Sequence, residues 1–464
     1  MKKIFLISLA FLSGGCSNFL DEIDKDKLIP ENVGHYSAVL LEEFSRKFPI
    51  ESSVDFMTDN IVENPNVAEE RRSSFKTVYT WKAEIELDEN NEGVAVNRAW
   101  GECYEDIAIA NYVLELIDDG QGSVQEKQFV KGEAHFVRAY CYFNLVNLYS
   151  VPYNQETASK DLGVPLRTGT TVEQVYHRAS VKKCYEQIEK DLLEAKRLIK
   201  ESGMVKSKWH PSETVCDLLL SRVYLYTCRW QLAIDYASEV MKRKQLSRVV
   251  SQSPLITEDK EEVIYTACKL PYFDLVIFEK GWQVNPELVA LYLAGDARKE
   301  SFFKYSTTWR TYISVKQEHS FTKMGTYSMR VSEAYLNRAE AYSMLGQHQS
   351  ARTDMVNLLN YRFLNASKVE QIVPTTNLLE FTLTERRKEL CFEEHHRWFD
   401  LRRMKVRPYI KHEYTQTDIE GGNSGTSTYT LPPNDLNYTL PIPLEEREKN
   451  PLIKNNERRD KLPI

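Results

Sequence analysis

Apolar side chains recur every three or four positions between Arg98 and Tyr149, the spacing that places them on one face of an α-helix. Gly120-Gln121-Gly122 interrupts this spacing with residues that favour a turn. The pattern therefore predicts two amphipathic helices joined at these glycines. The apolar positions are Trp100, Tyr104, Ile107, Ala108, Tyr112, Phe129, Phe136, Ala139, Tyr140, Phe143 and Leu148.

The same periodicity predicts helices at about 181–200, 211–226, 231–242 and 384–405.

A short pattern also recurs, in which a small residue precedes a tyrosine by three positions and an alanine follows that tyrosine by nine. It matches tetratricopeptide repeats, where small residues let paired helices approach closely. Periodicity alone leaves generic helix packing as an equal alternative. The two copies are Ser221, Tyr224 and Ala233, then Ala339, Tyr342 and Ala351.

Irregular segments lie at about residues 51–97 and 252–329. They mix β-prone runs, such as Val263-Ile264-Tyr265 and Tyr312-Ile313-Ser314-Val315, with Pro, Gly and Asn turns. A stretch rich in Gly, Ser and Thr at 421–428 is expected to be an exposed loop. Since long loops in a compact protein usually carry function, the two irregular segments are where a binding site is expected.

Composition excludes several classes of protein. The chain has 464 residues, 42% hydrophobic and 27% charged, which is enough for a large core and too mixed for a disordered or fibrous protein. Its formal net charge of -7 argues against nucleic-acid binding. No apolar run reaches the roughly 18 residues that a membrane-spanning helix needs.

The first residues have the pattern of a secretory leader. Lys2 and Lys3 precede the apolar run Ile4 to Leu12, and small residues then lead to Cys16. This order predicts a lipoprotein signal peptide over residues 1–15 and lipidation of Cys16, although Ser13 stands where lipoproteins usually have Leu. An ordinary cleaved signal with a free thiol at Cys16 is the alternative.

Catalytic and metal-binding signatures are absent from the sequence. The other seven cysteines show no CxxC spacing, and motifs of metalloproteases, phosphate-binding loops, serine hydrolases and dinucleotide-binding folds do not occur. Glu385 and Glu393 could form a glycosidase-like pair, but carboxylates and arginines at this spacing more often form salt bridges. We therefore predict a protein that is not an enzyme and has no cofactor and no metal site.

Four blocks, in order, resemble the SusD/RagB family of nutrient-uptake outer-membrane lipoproteins. The first, GEAHFVRAYCYFNL at 132–145, is similar to the family's GEAxFLRAxxYFxL helix. One departure is Glu394-His395-His396, where the family usually has Gly and a single residue before the Arg. The other blocks are EAYLNRAEAY at 333–342, ERRKEL at 385–390 running to RWFDLRR at 397–403, and LPIP at 440–443 with Asn450-Pro451.

The resemblance implies a mostly α, SusD-like single domain, in which about four tetratricopeptide-like helix pairs scaffold a loop-rich ligand face with short strands. Residues 16–30 would be an acylated N-terminus and polar tether, and residues 31–464 the domain. Within it, the repeat pairs would occupy about 98–250 and 330–362, the ligand face about 51–97 and 252–329, and the C-terminal helix and tail 375–464.

Sugar rings have apolar faces that lie flat on aromatic rings, while polar groups at the rim bond to their hydroxyls. Aromatic residues of the irregular segments are therefore the ligand-binding candidates, whereas Trp100, Trp230 and Trp398 are expected in the core. The polar candidates come from the first irregular segment, which contributes to the ligand face in the family. The predicted ligand-binding residues are Trp81, Trp282, Trp309, Tyr272, Tyr305, Asp59, Arg72 and Asn90.

The resemblance implies a surface-exposed lipoprotein, held on the outer membrane by its lipid anchor and facing the cell exterior. Its partners would be an oligosaccharide and a SusC-like TonB-dependent transporter that receives it, with no role for nucleic acid. Two alternatives remain open at this stage. One is a RagB-like lipoprotein that binds oligopeptides, and the other is a tetratricopeptide-type scaffold lipoprotein without a small ligand.

Overall fold

The structure is a computed structural model. It describes residues 30–46, 53–88, 90, 92–94, 97–171, 176–257, 259–267, 281–308, 310–316, 327–417 and 422–464. Cys16 and the whole predicted leader and tether up to residue 29 lie outside the described residues. Among the described residues, every helix is too short or too polar to span a membrane.

Helices dominate the described chain, as predicted. The α-helices are α1 Val33–Arg46, α2 Glu70–Ser73, α3 Lys76–Tyr79, α4 Ala99–Leu116, α5 Val124–Tyr149, α6 Val181–Ser202, α7 Glu213–Tyr226, α8 Trp230–Arg243, α9 Pro286–Ala290, α10 Arg298–Phe302, α11 Val331–Met344, α12 His348–Asn360, α13 Val369–Ile372, α14 Leu378–Glu389, α15 His396–Arg403 and α16 Leu444–Lys449. Short 3-10 turns occupy Val54–Met57, Ala366–Lys368 and Leu436–Tyr438.

The described strands are short and pair two by two into antiparallel ribbons: β1 with β5, β2 with β3, β4 with β8, β6 with β7, and β9 with β10. The predicted β-prone runs fall in β4 and β7. The strands are β1 Ile61–Glu63, β2 Leu162–Pro165, β3 Arg178–Ser180, β4 Val263–Ala267, β5 Trp282–Val284, β6 Phe303–Ser306, β7 Thr311–Ser314, β8 Tyr327–Arg330, β9 Ile410–Thr417 and β10 Asn423–Leu431.

The helices pack in consecutive pairs, and small residues lie where they meet. In the α7–α8 pair the Ser221 hydroxyl donates to the carbonyl of Ala233 at 3.0 Å. In the α11–α12 pair Ala339 and Ala351 are both fully buried. A Cβ at Gly132 of α5 would lie 2.7 Å from Ile199 of α6, so only glycine allows this approach. The mostly α, tetratricopeptide-like fold class is confirmed.

The stretch at 421–428, expected to be an exposed loop, lies largely in β10 instead. Thr426, Ser427 and Thr428 lie along a strand in which Tyr429 faces His412 and Leu431 faces Ile410 of β9. Tyr429 and Leu431 are buried, and β-branched threonines suit a pleated surface. The composition of this stretch is typical of a loop, and for this reason the sequence did not predict the strand.

The single helix predicted for 384–405 is also wrong, because the chain breaks into α14 and α15. Three residues of the intervening turn have a left-handed backbone, with φ of 60° at Phe392, 42° at Glu394 and 57° at His395. Such backbone is costly for side chains other than glycine and persists where the surroundings determine it. Here the surroundings include two arginines. Glu393 accepts from Arg330 at 2.8 Å and Glu394 from Arg222 at 2.7 Å.

This turn belongs to a larger network of buried ion pairs. Glu389 is fully buried and accepts from Arg298 at 3.1 Å, Arg330 at 2.9 Å and Arg362 at 3.0 Å. Glu262 binds two of the same arginines, Arg330 at 2.8 Å and Arg362 at 2.6 Å. A buried charge is tolerated only with close partners, so each side chain fixes the positions of the others.

His396 lies in the same charged region and is expected to make folding sensitive to mild acid. Burial lowers its pKa well below the usual value, and Arg222 and Arg386 act in the same direction. The unfolded chain takes up a proton near pH 6.5 while the folded chain does not. Stability from this residue is therefore complete above pH 6.5 and falls by up to about 1.4 kcal/mol per pH unit below it.

Urea unfolding at pH 7.5 and pH 5.5 checks this expectation. The free energy of unfolding of the wild type should fall by about 1.4 kcal/mol more than that of His396→Gln over this interval. Comparing the pH differences of the two proteins removes the effect of the substitution on stability itself. Equal falls in both proteins would show that His396 is not held neutral.

Candidate functional site

A cleft of about 1170 Å³ opens between three stretches of chain that are far apart in sequence. The first runs from Glu86 to the start of α4, the second contains Pro165, Arg167 and Tyr176, and the third is α16 with the residues beside it. A cleft of this size can hold a ligand of several rings.

One wall of the cleft is aromatic and rigid. The Trp100 ring lies 5.0 Å from the ring of Tyr104 and 4.9 Å, edge to face, from that of Tyr149. The Tyr104 hydroxyl donates to the carbonyl of Pro165 at 2.8 Å, and the Trp100 indole donates to Glu446 of α16 at 3.4 Å. These bonds tie the first residues of α4 to the other two stretches.

The second wall carries a stacked cation and ring. The Arg167 guanidinium lies 4.8 Å from the centre of the Tyr176 ring, a distance typical of cation–π contact. Asn450 donates to the carbonyl of Tyr176 at 3.1 Å, and the hydroxyl of Tyr142 donates to the carbonyl of Arg167 at 2.7 Å. These hydrogen bonds fix the backbone at Arg167 and Tyr176 and so hold both side chains in position.

Hydrogen-bonding groups complete the lining. Asn97 donates to the hydroxyl of Tyr149 at 2.9 Å, and its buried Oδ1 has no hydrogen-bond partner among the described residues. Glu86 accepts from the backbone N–H of Leu444 at 2.9 Å. Burial raises the pKa of Glu86, and the nearby carboxylates Glu84 and Glu445 raise it further. The cleft therefore offers ring faces beside polar groups.

The structure corrects the prediction for Trp81, Trp282 and Arg72, whose side chains are 0%, 1% and 0% exposed. A fully buried group has no surface to present to a ligand. The Trp282 ring packs 4.5 Å from that of Tyr79, and Arg72 pairs with buried Glu63. These residues anchor the irregular segment from beneath, because a segment with little regular structure needs large side chains to hold it.

Asp59 is also occupied by structural contacts. It accepts two bonds of 2.7 Å from Arg397 and lies 3.2 Å from Arg387. Burial opposes its ionisation, but these two arginines outweigh burial and hold the pKa of Asp59 well below its usual value. Its carboxylate joins the first irregular segment to α14 and α15.

The other predicted ligand residues stay predictions. Tyr305 is 50% exposed on the β6–β7 ribbon, with its ring edge-on to Tyr312 at 5.2 Å, and it does not line the cleft. Asn90 is exposed in the loop between Leu87 and Gly93, both of which line the cleft. Tyr272 and Trp309 lie outside the described residues.

The two carboxylates that could form a glycosidase-like pair, Glu385 and Glu393, are buried in the ionic network. Glu385 is 3% exposed and accepts from Arg298 at 2.7 Å and Lys388 at 2.7 Å. Glu393 is 2% exposed and is held by Arg330 and Lys316. Neither reaches a substrate, and the residues described here contain no group of three potential metal ligands.

Matches to protein-family models assign the chain to a family. Residues 18–225 match a family described as starch-binding and associating with the outer membrane, and residues 278–458 match the SusD family. The chain belongs to the SusD/RagB family. No curated protein is significantly similar to it in sequence.

Solved structures of SusD-like proteins share this fold. A SusD superfamily protein of Bacteroides thetaiotaomicron is 20% identical with a TM-score of 0.70, over 92% of this chain and 100% of that one. A SusD-like carbohydrate-binding protein of Bacteroides vulgatus is 21% identical with a TM-score of 0.65, over 91% and 97%. A laminarin-binding SusD-like protein is 20% identical with a TM-score of 0.60, again over 91% and 97%.

Sequence reasoning located one part of the cleft and missed two. Leu87, Gly93, Val94 and Asn97 fall in or beside the first irregular segment, as expected of a ligand face. Arg167, Tyr176 and the residues of α16 carried no recognisable signal, because nothing in their local pattern separates them from ordinary surface residues. Only the folded chain brings them opposite Trp100.

Proposed function

We propose that this protein captures an oligosaccharide in the cleft between Trp100, Tyr176 and α16. The observation that supports this most directly is the pairing of aromatic walls with a polar rim in one cleft of a SusD/RagB-family protein. The apolar faces of pyranose rings stack on aromatic rings, while hydroxyls bond to side chains such as Asn97. Such capture needs no catalytic group.

Delivery to a transporter is the second step of the proposal. We infer that the captured sugar passes to a SusC-like TonB-dependent transporter while the lipoprotein stays on the outer membrane through lipidated Cys16, facing the exterior. The family description as associating with the outer membrane supports this. Two or more acyl chains would hold the protein stably, since each buried methylene contributes roughly 0.8 kcal/mol.

Calorimetry with a panel of oligosaccharides and oligopeptides tests the capture step. We expect saturable binding of at least one oligosaccharide, and Tyr176→Ala should weaken it about tenfold because the variant loses the stacked ring. Tyr305→Ala is the matched control, since it removes an exposed tyrosine outside the cleft. Loss of binding in Tyr305→Ala but not in Tyr176→Ala would contradict the assignment to the cleft.

The panel also separates the alternatives. Binding of peptides instead of sugars would support the RagB-like function, in which backbone hydrogen bonds replace ring stacking. No binding to any member would favour a scaffold lipoprotein. The transporter step has its own test: affinity-tagged protein purified from outer membranes should carry a TonB-dependent transporter, and the Cys16→Ala variant should leave the membrane fraction.

A further inference from the structure

One buried hydroxyl holds the backbone of Arg167 on both sides. Tyr142 of α5 has no exposed surface. Its hydroxyl accepts from the backbone N–H of Arg167 at 2.6 Å and donates to the carbonyl of the same residue at 2.7 Å. A hydroxyl can make both bonds because it is a donor and an acceptor at once. The two bonds fix the peptide groups before and after Arg167, and so the direction in which its side chain leaves the backbone.

A buried amide holds the same segment from a second helix. The Nδ2 of Asn111 in α4 donates to the carbonyl of Arg167 at 3.0 Å and to that of Gly169 at 3.2 Å. Asn111 is buried, and the two carbonyls match the two N–H donors that its amide carries. The path of the chain from Arg167 to Gly169 is therefore set by α4 as well as by α5.

An ion pair inside the helical scaffold orients Asn111. Its Oδ1 accepts from Arg138 of α5 at 2.7 Å, and Arg138 binds both carboxylate oxygens of Asp191 in α6, at 2.9 and 2.6 Å. Bidentate pairs of this kind are strong and directional, and both members of this one are buried. Because arginine only donates, Asn111 must turn its Oδ1 toward Arg138 and its Nδ2 toward the carbonyls.

This chain of hydrogen bonds leads from the core to the second wall of the cleft. Within the part of the chain that the structure describes, the Arg167 guanidinium pairs with no carboxylate and stacks on the Tyr176 ring. A cation–π contact at an exposed site is weak, so the position of Arg167 depends on its backbone. A wall that is ordered before binding spares the ligand the entropic cost of ordering it.

We propose that Tyr142 and Asn111 are positioning residues for sugar binding. Neither side chain is part of the cleft lining. They act through Arg167 and Tyr176, whose wall they hold in the conformation that receives the sugar. This inference rests on the proposed function, because it concerns the affinity of the same cleft.

Tyr142→Phe tests the proposal, since it removes the hydroxyl and keeps the ring. The ligand is the oligosaccharide that binds most tightly in the calorimetric panel, and we expect Tyr142→Phe to bind it about fivefold more weakly. The matched control is Tyr185→Phe. It also removes the hydroxyl of a buried tyrosine, one that donates to Asn147 at 3.2 Å away from the cleft, and should bind as the wild type does.

A double-mutant cycle separates positioning from a general structural effect. If Tyr142 acts through the second wall, its substitution matters only while that wall is complete. Tyr142→Phe should therefore weaken binding by less than about twofold in the Tyr176→Ala background, instead of fivefold. Residues that act independently would give the same factor in both backgrounds.

Asn111→Asp gives a second, independent variant. It keeps the oxygen that accepts from Arg138 and replaces the two N–H donors by an oxygen that cannot bind the carbonyls of Arg167 and Gly169. We expect it to weaken binding at least fivefold, and again by less than about twofold once Tyr176 is alanine. Circular dichroism shows which variants are folded, and the cycle is completed with those.

Three results would overturn the positioning role while leaving sugar capture intact. They are wild-type affinity in Tyr142→Phe and Asn111→Asp, an equal loss of affinity in Tyr185→Phe, and an unchanged factor in the Tyr176→Ala background. If sugar binds but Tyr176→Ala binds it as tightly as the wild type, the proposed cleft is wrong and the inference fails with it. If no oligosaccharide binds, the proposed function itself fails.

Discussion

Replacing Glu389 by alanine is expected to lower the free energy of unfolding by at least about 4 kcal/mol. Glu389 is the shared partner of Arg298, Arg330 and Arg362, and all four side chains are fully buried. Alanine would leave three guanidiniums in the interior with fewer carboxylates than they need. Leaving a buried charge uncompensated costs more than the ion pair itself contributes.

Urea unfolding followed by circular dichroism measures this effect. Glu445→Ala is the control, because Glu445 pairs with Lys449 at 2.5 Å while both side chains are largely exposed. An exposed pair contributes about 0.5 kcal/mol, so the control should unfold nearly as the wild type does. If Glu389→Ala does not fold, Glu389→Gln keeps part of the hydrogen bonding and should still lose about 2 kcal/mol. A loss below about 1 kcal/mol in either Glu389 variant would contradict the network's role.

Replacing Trp81 by alanine is expected to cost about 3 to 5 kcal/mol of stability. Its ring has no exposed surface and stacks 4.2 Å from the ring of His412, which is itself stacked on Tyr79 at 4.0 Å. Its indole donates to the carbonyl of Met57 at 3.0 Å. Alanine would keep the left-handed backbone, with φ of 52°, and lose the packing that stabilises it.

Thermal and urea unfolding of Trp81→Ala and Tyr409→Ala separate a structural tryptophan from a ligand-binding one. Tyr409 is 60% exposed, so its loss should change stability by less than about 0.5 kcal/mol. Trp81→Ala should be strongly destabilised yet, at a temperature where it is folded, bind sugar as the wild type does. A stable Trp81→Ala variant that has lost sugar binding would restore Trp81 to the ligand face.

Local patterns predicted the helices because helical periodicity is contained within each segment. The tetratricopeptide-like spacing around Tyr224 and Tyr342 predicted the α7–α8 and α11–α12 pairs, with generic helix packing as the alternative. The break between α14 and α15 was not, since its left-handed turn depends on partners distant in sequence. Glu394 is 172 positions from Arg222. Backbone conformations fixed by tertiary ion pairs leave no local signal.

The orientation of the aromatic residues at the site also could not be predicted from local sequence. Aromatic residues in irregular segments were predicted to bind ligand, but Trp81 and Trp282 hold those segments together from inside. Conversely, Trp100 was predicted to lie in the core. Only 6% of it is exposed, yet it lines the cleft. Whether a loop aromatic faces in or out depends on which distant segment covers it, and single-sequence periodicity cannot supply that.

A crystal structure of the complex with the most tightly bound oligosaccharide tests the central claim most directly. The account predicts sugar rings between the α4 wall at Trp100 and Tyr104 and the Arg167–Tyr176 pair, with hydroxyls near Asn97 and α16. Sugar bound instead on the β6–β7 ribbon at Tyr305, with the cleft holding only solvent, would contradict it.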